Sequence, residues 1–296
     1  MKFRFWGVRG SIPSPGPATA RYGGNTTCIG VRTDQGTLIV IDAGTGIFAL
    51  AQQLPRDLPV QASIFITHSH WDHIHGLPFF TPLFKRGTRV RLHGAPEPVS
   101  GKGIEHVMAV QLQNSYFPVS EAQMAATIEY RTLAVGEPVT VDDAVISNAQ
   151  MNHPVTNLGY RIDCNGKSLF FTGDHEPHYN IYPEDDPRHA PFQQQMEARQ
   201  HAIDAVVQGV DALIVDCSYT RDEYPSKQGW GHGTFDSALE MARRSGARQL
   251  YCTHHEPTRG DAELEAVFAE VLARHTPLPD GLQVFLAYEG LEVELH

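Results

Sequence analysis

The chain has 296 residues, 41% of them hydrophobic and 19% charged, with four cysteines and a net charge of −11. This is a globular composition, with apolar residues enough for one large domain or two small ones. No uncharged apolar run approaches the roughly 20 residues that cross a bilayer, and the acidic balance lacks the basic face of a protein that tracks a phosphate backbone.

Basic residues cluster only locally, as Lys85-Arg86 with Arg89 and Arg91, and as Arg243-Arg244 with Arg248. Met1 to Trp6 alternates like a strand and lacks the apolar core and small-residue cleavage site of a secretion signal. Cys28, Cys164, Cys217 and Cys252 form no CxxC pair and read as buried free thiols. The expectation is a cytoplasmic protein with no membrane contact.

Residues 7–25 are rich in proline and glycine, which precludes a helix or a central strand and predicts a long ordered loop near the functional site. Thr26 to Thr33 and Thr37 to Ile41 form a hairpin across Asp34-Gln35-Gly36. The returning strand ends in Asp42-Ala43-Gly44, and a helix from Ile47 to Leu54 is stopped by Pro55. Gln61 to Ile66 is a strand that feeds Thr67-His68-Ser69-His70-Trp71-Asp72-His73, and Arg89 to His93 is another. Residues 97–125 break the pattern and read as an insertion, a lid or a dimer contact.

Strands resume at Thr127 to Leu133, Val139 to Val141 and Ala144 to Ala149, the last leading to His153. Leu158 to Asp163 and Ser168 to Phe171 flank Asn165-Gly166, the strongest short hairpin signal, and deliver Gly173-Asp174. A helix over 192–208 precedes the buried strand Ala212 to Val215. Thr234 caps a helix to Arg244 that Gly246 ends. Gln249 to Cys252 delivers His254-His255, and a helix from Ala262 to Ala273 and a closing hairpin from Leu282 to Leu295 complete the chain. With no repeat or linker, residues 1–296 read as one domain of two sheets with helices outside.

Asp42, His68, His153, Asp174 and His254 each follow an apolar strand at its C-terminal end, the edge where an α/β protein builds its site. Packing does not call for five ligand-type residues there. Imidazoles with carboxylates suit a borderline cation, zinc first, with manganese or iron also fitting. The reading assigns two divalent ions. His68, His70 and His153 hold one, Asp72, His73 and His254 the other, and Asp174 bridges them, since a carboxylate spans ions roughly 3.5–4 Å apart. A bridging hydroxide is the nucleophile. Asp42 orients a ligand imidazole through its other nitrogen. His232, between glycines at a helix start, is the general acid or a donor to a phosphoryl oxygen. His255 is a neighbour of the site or an alternative ligand, His75 faces away, and His175 and His178 line the mouth.

The His68-x-His70-x-Asp72-His73 motif, with Asp42-Ala43-Gly44 before it and His153, Gly173-Asp174 and His254 after it, resembles the metallo-β-lactamase superfamily. The resemblance implies an α/β fold, a four-layer αββα sandwich of two mixed sheets with a dinuclear site at the sheet edges. Gly231-His232-Gly233-Thr234, a helix, and Leu250 to Pro257 are most similar to the phosphodiesterase branch that includes ribonuclease Z. The chain departs from ribonuclease Z in having no evident basic arm to grip tRNA. The expected function is therefore a metal-dependent phosphodiesterase, with His232 and Asp72 catalytic. It would act on a small phosphodiester or cyclic nucleotide, with no long nucleic acid as partner and a homodimer open. The rivals are a lactonase or thioesterase on the same site and a non-catalytic ligand sensor.

Overall fold

The computed structural model describes residues 1–97 and 99–296. The first half of the chain supplies β1 (Lys2–Gly7), β2 (Cys28–Arg32), β3 (Leu38–Ile41), β4 (Gln61–Ile66), β5 (Arg89–Gly94) and β6 (Thr127–Thr132), with helices α1 (Gly46–Gln53), α2 (Trp71–Ile74) and α3 (Ile104–Gln111). The second half supplies β7 (Val139–Val141), β8 (Ala144–Met151), β9 (Asn157–Cys164), β10 (Lys167–Phe171), β11 (Ala212–Asp216), β12 (Gln249–Thr253), β13 (Gln283–Leu286) and β14 (Glu292–Glu294). It also carries α4 (His189–Val207), α5 (Phe235–Ser245) and α6 (Asp261–Arg274).

Two seven-stranded sheets result, in the orders β14-β1-β2-β3-β4-β5-β6 and β13-β12-β11-β10-β9-β8-β7. Each is mixed. β3 to β6 run parallel, as do β10 to β13, and the remaining pairs are antiparallel.

The strand sequences explain the four layers. Successive side chains point to opposite faces, and here both faces are buried. Ile39, Ile41, Phe65, Leu169, Phe171 and Ile214 fill the space between the sheets with Phe3, Phe5 and Tyr251. Their neighbours Val40, Ile64 and Ile66 turn outward against Ile47 and Leu50 of α1 and Met108 of α3. Phe170, Leu213 and Val215 turn outward against Ile203, Val207, Leu239 and Leu264 of α4, α5 and α6. Near-continuous apolar strands of this kind belong in parallel sheets covered on both faces. This is the expected αββα sandwich. Among the described residues, no helix is long and apolar enough to cross a membrane.

The Asn165-Gly166 turn joins β9 to β10 with both residues at positive φ (50° and 73°), the backbone such a two-residue hairpin requires. Thr234 caps α5 by accepting from the Ser237 amide at 3.0 Å, and Gly246 ends it at φ 67°. Residues 7–25 form an ordered loop around the buried Arg9, whose guanidinium donates to the carbonyls of Gly23 and Arg259, each at 2.8 Å. Within 97–125, α3 lays Ile104, Val107 and Met108 on the outer face of the first sheet.

The closing hairpin is a correction. β13 adds parallel to β12 in the second sheet, whereas β14 pairs antiparallel with β1 in the first. The chain crosses between sheets through the buried Ala287, and Gly290 and Leu291 bond to the Phe5 backbone. Alternation marks a strand but not its partner, and two open sheet edges compete for these two.

Candidate metal centre

Every parallel strand near the middle of either sheet ends on the same rim. Asp42 follows β3, the histidine loop follows β4, Asp174 follows β10, Asp216 ends β11 and His254 follows β12, while His153 follows the antiparallel β8. Asp42 (φ 61°), His254 (φ 57°) and Ser11 (φ 61°) are three of the five non-glycine residues at positive φ among the described residues. The other two, Asp142 and Asn165, sit at hairpin turns, so left-handed strain away from turns gathers at this rim.

The donor atoms of His68, His70, His153 and Asp174 lie within 4.8 Å of one another, and so do those of Asp72, His73, Asp174 and His254. The Asp174 carboxylate is divided between the groups. Its Oδ2 lies 3.4 Å from His68 Nε2 and 3.8 Å from His153 Nε2, while its Oδ1 lies 3.1 Å from both His73 Nε2 and His254 Nε2. Asp72 Oδ2 closes the second group at 3.3 Å from His73 Nε2 and 3.2 Å from His254 Nε2. In the first group, His70 Nδ1 faces His153 Nε2 at 3.1 Å.

These atoms are close but not hydrogen-bonded in a normal way. His68 Nε2, His73 Nε2 and Asp174 Oδ1 are buried without a hydrogen-bond partner, because they aim at common points rather than at each other. Each such atom costs about 1–3 kcal/mol if left unpaired. A divalent cation is the partner that this set of imidazoles and carboxylates fits.

The opposite nitrogens are already committed. His73 Nδ1 pairs with Asp42 Oδ2 at 2.7 Å, and Asp42 is fixed by the amide (2.7 Å) and hydroxyl (3.0 Å) of Thr67. His153 Nδ1 donates to the Gly231 carbonyl at 2.9 Å, and His254 Nδ1 faces the Ser218 hydroxyl at 2.9 Å. Such contacts set the tautomer and leave the other nitrogen for the centre. The Ser11 amide donates to Asp72 Oδ2 at 2.8 Å. Two glycines let backbone come this close. A Cβ on Gly10 would collide with the His254 ring, and one on Gly231, at φ 87°, with the His153 ring.

Burial disfavours charge throughout, and neighbours decide what survives. Burial opposes ionisation of Asp174, but the rings of His254, His73 and His68 hold its carboxyl well below the usual range. His68 is pushed well below its ordinary value by burial and then by His73, and burial brings His153 down to about 4. His73 is raised well above its ordinary value, since Asp174, Asp72 and Asp42 outweigh its burial. A bound cation takes the place of such protons.

His232 lines the cleft and belongs to neither of these groups, but with Asp174, Asp216 and His254 it forms a third whose donor atoms also lie within 4.8 Å of one another. Its Nδ1 donates to the buried Asp216 Oδ2 at 2.9 Å, and its ring stacks on His254 with centroids 4.9 Å apart. Nε2 is the ring atom left for the cleft. Burial lowers its pKa, but Asp216 and then Asp174 outweigh this and raise it to about 9.

Asp216, Ser218, Ser11 and Glu176 were not anticipated as parts of the site. Asp216 carried a usable signal, for it follows Ile214-Val215 as the other donors follow their strands. Glu176 is buried and accepts from Tyr224 Oη (2.8 Å) and the amides of Gly229 (2.8 Å) and Gly231 (3.0 Å), which anchors the loop before His232. His255 is a neighbour rather than a donor, since its Nε2 donates to the Ala287 carbonyl at 2.8 Å. His175 is buried behind the rim, accepting from the Asn152 amide, rather than at the mouth, and His75 is exposed.

Residues 37–255 match the model of the β-lactamase superfamily domain, and the chain belongs to that family. The matched stretch takes in Asp42 and every donor through His254. Among curated relatives, the ribonuclease Z of Synechococcus sp. (strain CC9311) is 24% identical, over 93% of this chain and 96% of its own. Among solved structures, human tRNase Z, short form, superposes with a TM-score of 0.65 at 17% identity, covering 99% of each chain. Zinc-bound PqqB from Methylobacterium extorquens does so at 0.68 and 18% identity, covering 100% of each.

These relatives overturn the expectation that long nucleic acid is excluded as a partner, because the curated ones are named as ribonucleases along most of the chain. The whole-chain charge misled. Asp42, Asp72, Asp174 and Asp216 are buried with their carboxylates on His73, His254 and His232, so their charge is matched inside the site rather than spread over the surface.

Proposed function

We propose that this chain is a dinuclear metal-dependent phosphoric diester hydrolase, with RNA as the substrate class best supported by its relatives. His68, His70 and His153 hold one divalent cation, Asp72, His73 and His254 the other, and Asp174 serves both. Zinc suits these donors first, and manganese or iron fit them as well. When bound, two such cations neutralise charge on the phosphoryl oxygens and lower the pKa of the attacking water.

The chain's own residues do the rest. Asp42, Ser218 and the Gly231 carbonyl hold the imidazoles in one tautomer, and the Ser11 amide fixes Asp72. His232 delivers a proton to the departing oxygen from Nε2 while Asp216 holds Nδ1. The Asp216–His232 pair supports the reading against a thioesterase, and the relatives named as ribonucleases support it against a lactonase. A phosphodiester, like a lactone, expels an alkoxide that needs a proton, whereas a thioester expels a thiolate whose pKa of about 8.5 makes a donor dispensable.

A small phosphodiester or cyclic nucleotide is the second reading, favoured by a cleft of about 390 Å³ walled by Ser11, Ser69, Trp71 and His232. The test is metal analysis of the purified protein, then turnover of an RNA hairpin with a 3′ extension, of cyclic nucleotides and of bis(p-nitrophenyl) phosphate, against lactones and thioesters. His232→Ala should lose turnover and keep its metal. A metal-loaded protein that opens lactones or thioesters and leaves every phosphodiester intact refutes the proposal.

A further inference from the structure

We infer that Trp71 is the stacking surface for the nucleobase beside the scissile phosphate, so that this centre acts on linkages carrying an unpaired base. The inference rests on the phosphodiesterase reading and adds to it the class of group the substrate must bear.

Trp71 is 81% exposed, more than any other aromatic residue described. Isolated exposed apolar residues need no explanation, but this one is not isolated from the chemistry. It sits between the donors His70 and Asp72 and forms a wall of the cleft with Ser11, Ser69 and His232. Consecutive Cα atoms are about 3.8 Å apart, so the indole is rooted within a sugar's span of two donor residues. Its neighbours Asp72, His73 and Ile74 are buried, which fixes the short helix that carries it.

The other two tryptophans each carry a cation over the ring. Arg4 lies 4.4 Å over the Trp6 ring, and Lys227 Nζ lies 4.2 Å over Trp230. Among the described residues, Trp71 has no aromatic or cationic partner of this kind. A bare indole face gains when a flat apolar face or a cation covers it. Every nucleobase has such a face, and base–aromatic stacking tolerates any base sequence. The cations would hold the phosphate, and the base attached to it would fall on the adjoining wall.

The test uses two phosphates that differ by a base. Calorimetric binding to the metal-loaded protein should favour AMP over ribose 5-phosphate by roughly 5- to 150-fold, the range of one stacked base. Trp71→Ala should bring that ratio to about one, and Trp71→Phe should restore part of it, with metal content and thermal midpoint as in the wild type. The loss of kcat/KM in Trp71→Ala, on a single-stranded RNA 3′ extension or on cyclic AMP, then identifies which source of the base the site uses.

A wild-type ratio near one overturns the inference, as does a ratio that Trp71→Ala leaves unchanged. An unchanged ratio together with a lost dimer in sedimentation overturns it in favour of a self-contact. Binding needs no turnover, so the two readings separate. A protein that prefers AMP but hydrolyses no diester loses the function and keeps the Trp71 site, and a working diesterase with no preference does the opposite.

Discussion

Asp216→Asn removes a charge from the site while leaving every proposed metal donor in place. In the native structure Asp216 Oδ2 accepts from His232 Nδ1 and the His175 amide, and Oδ1 accepts from the Ser218 amide and hydroxyl. An asparagine offers one oxygen where two were used, and its amide faces donors. Asp216 is the leading charge that raises His232 to about 9, so the variant should return the ring toward its ordinary 6.5 or below. At pH 8 the protonated fraction then falls from about 0.9 to about 0.03, roughly 30-fold.

Bound cations repel the same proton and lower both values, so the quantity to read is the displacement of the alkaline limb between wild type and variant. The assay is kcat against pH from 6 to 9.5 on two substrates. An RNA linkage, which expels an alkoxide, should show the full loss, and bis(p-nitrophenyl) phosphate, which expels a stable phenolate, much less. Metal content is measured alongside, because an unsatisfied buried donor costs about 1–3 kcal/mol and softens the site. An unmoved alkaline limb, or equal losses on both substrates with full metal, refutes His232 as the proton donor.

Asp42→Ala should weaken metal binding about 10- to 100-fold by releasing His73 Nδ1, read by competition with a chromophoric chelator; unaltered affinity would show that Thr67 and packing alone orient the ring. Chelation should lower the thermal midpoint on the order of 10 °C, since ligand at about 1,000 times its Kd stabilises by roughly 4 kcal/mol. Failure of added zinc or manganese to restore that midpoint would contradict a metal role in the fold. His93 is stacked on Phe65, and burial, with Arg131 and Arg91, lowers its pKa to about 4. A depressed folded value means its stability contribution is complete above about 6.5 and is lost as pH falls toward 4, at most about 3 kcal/mol. His93→Gln should therefore lose less stability than the wild type between pH 7 and 4.5 in urea titrations, and parallel curves would refute the assignment.

The imidazoles and carboxylates that cluster at the rim are legible in the sequence because their chemistry and their spacing are local. His68, His70, Asp72 and His73 lie in one loop, and Asp42, His153, Asp174 and His254 each sit where an apolar run stops. What holds those donors is not local. Ser11 reaches Asp72 across 61 positions and Ser218 reaches His254 across 36, through a backbone amide and a hydroxyl that no residue type advertises. Asp216 has the same strand-end signature, but it is the last residue of β11 itself, one position past the apolar run that ends at Val215. The closing segment departs from a hairpin for a related reason. Alternation in 282–295 records two strands, but which open edge each takes depends on sheet order, a property of the assembled fold.

Net charge was the other misleading quantity, and the structure says why. A sum over the chain treats each carboxylate as facing solvent. Asp42, Asp72, Asp174 and Asp216 instead lie within hydrogen-bonding or ion-pair reach of His73, His254 and His232, and all four are buried. Two divalent cations held among them would add four positive charges at the point where a phosphate must dock. Attraction between charges falls off over a Debye length of about 8 Å at physiological salt. A polyanion arriving at this cleft therefore responds to the charges of the rim and hardly to acidic residues on the far faces. An acidic chain and a nucleic-acid substrate are compatible whenever the positive charge is carried by the cofactor rather than by lysine and arginine.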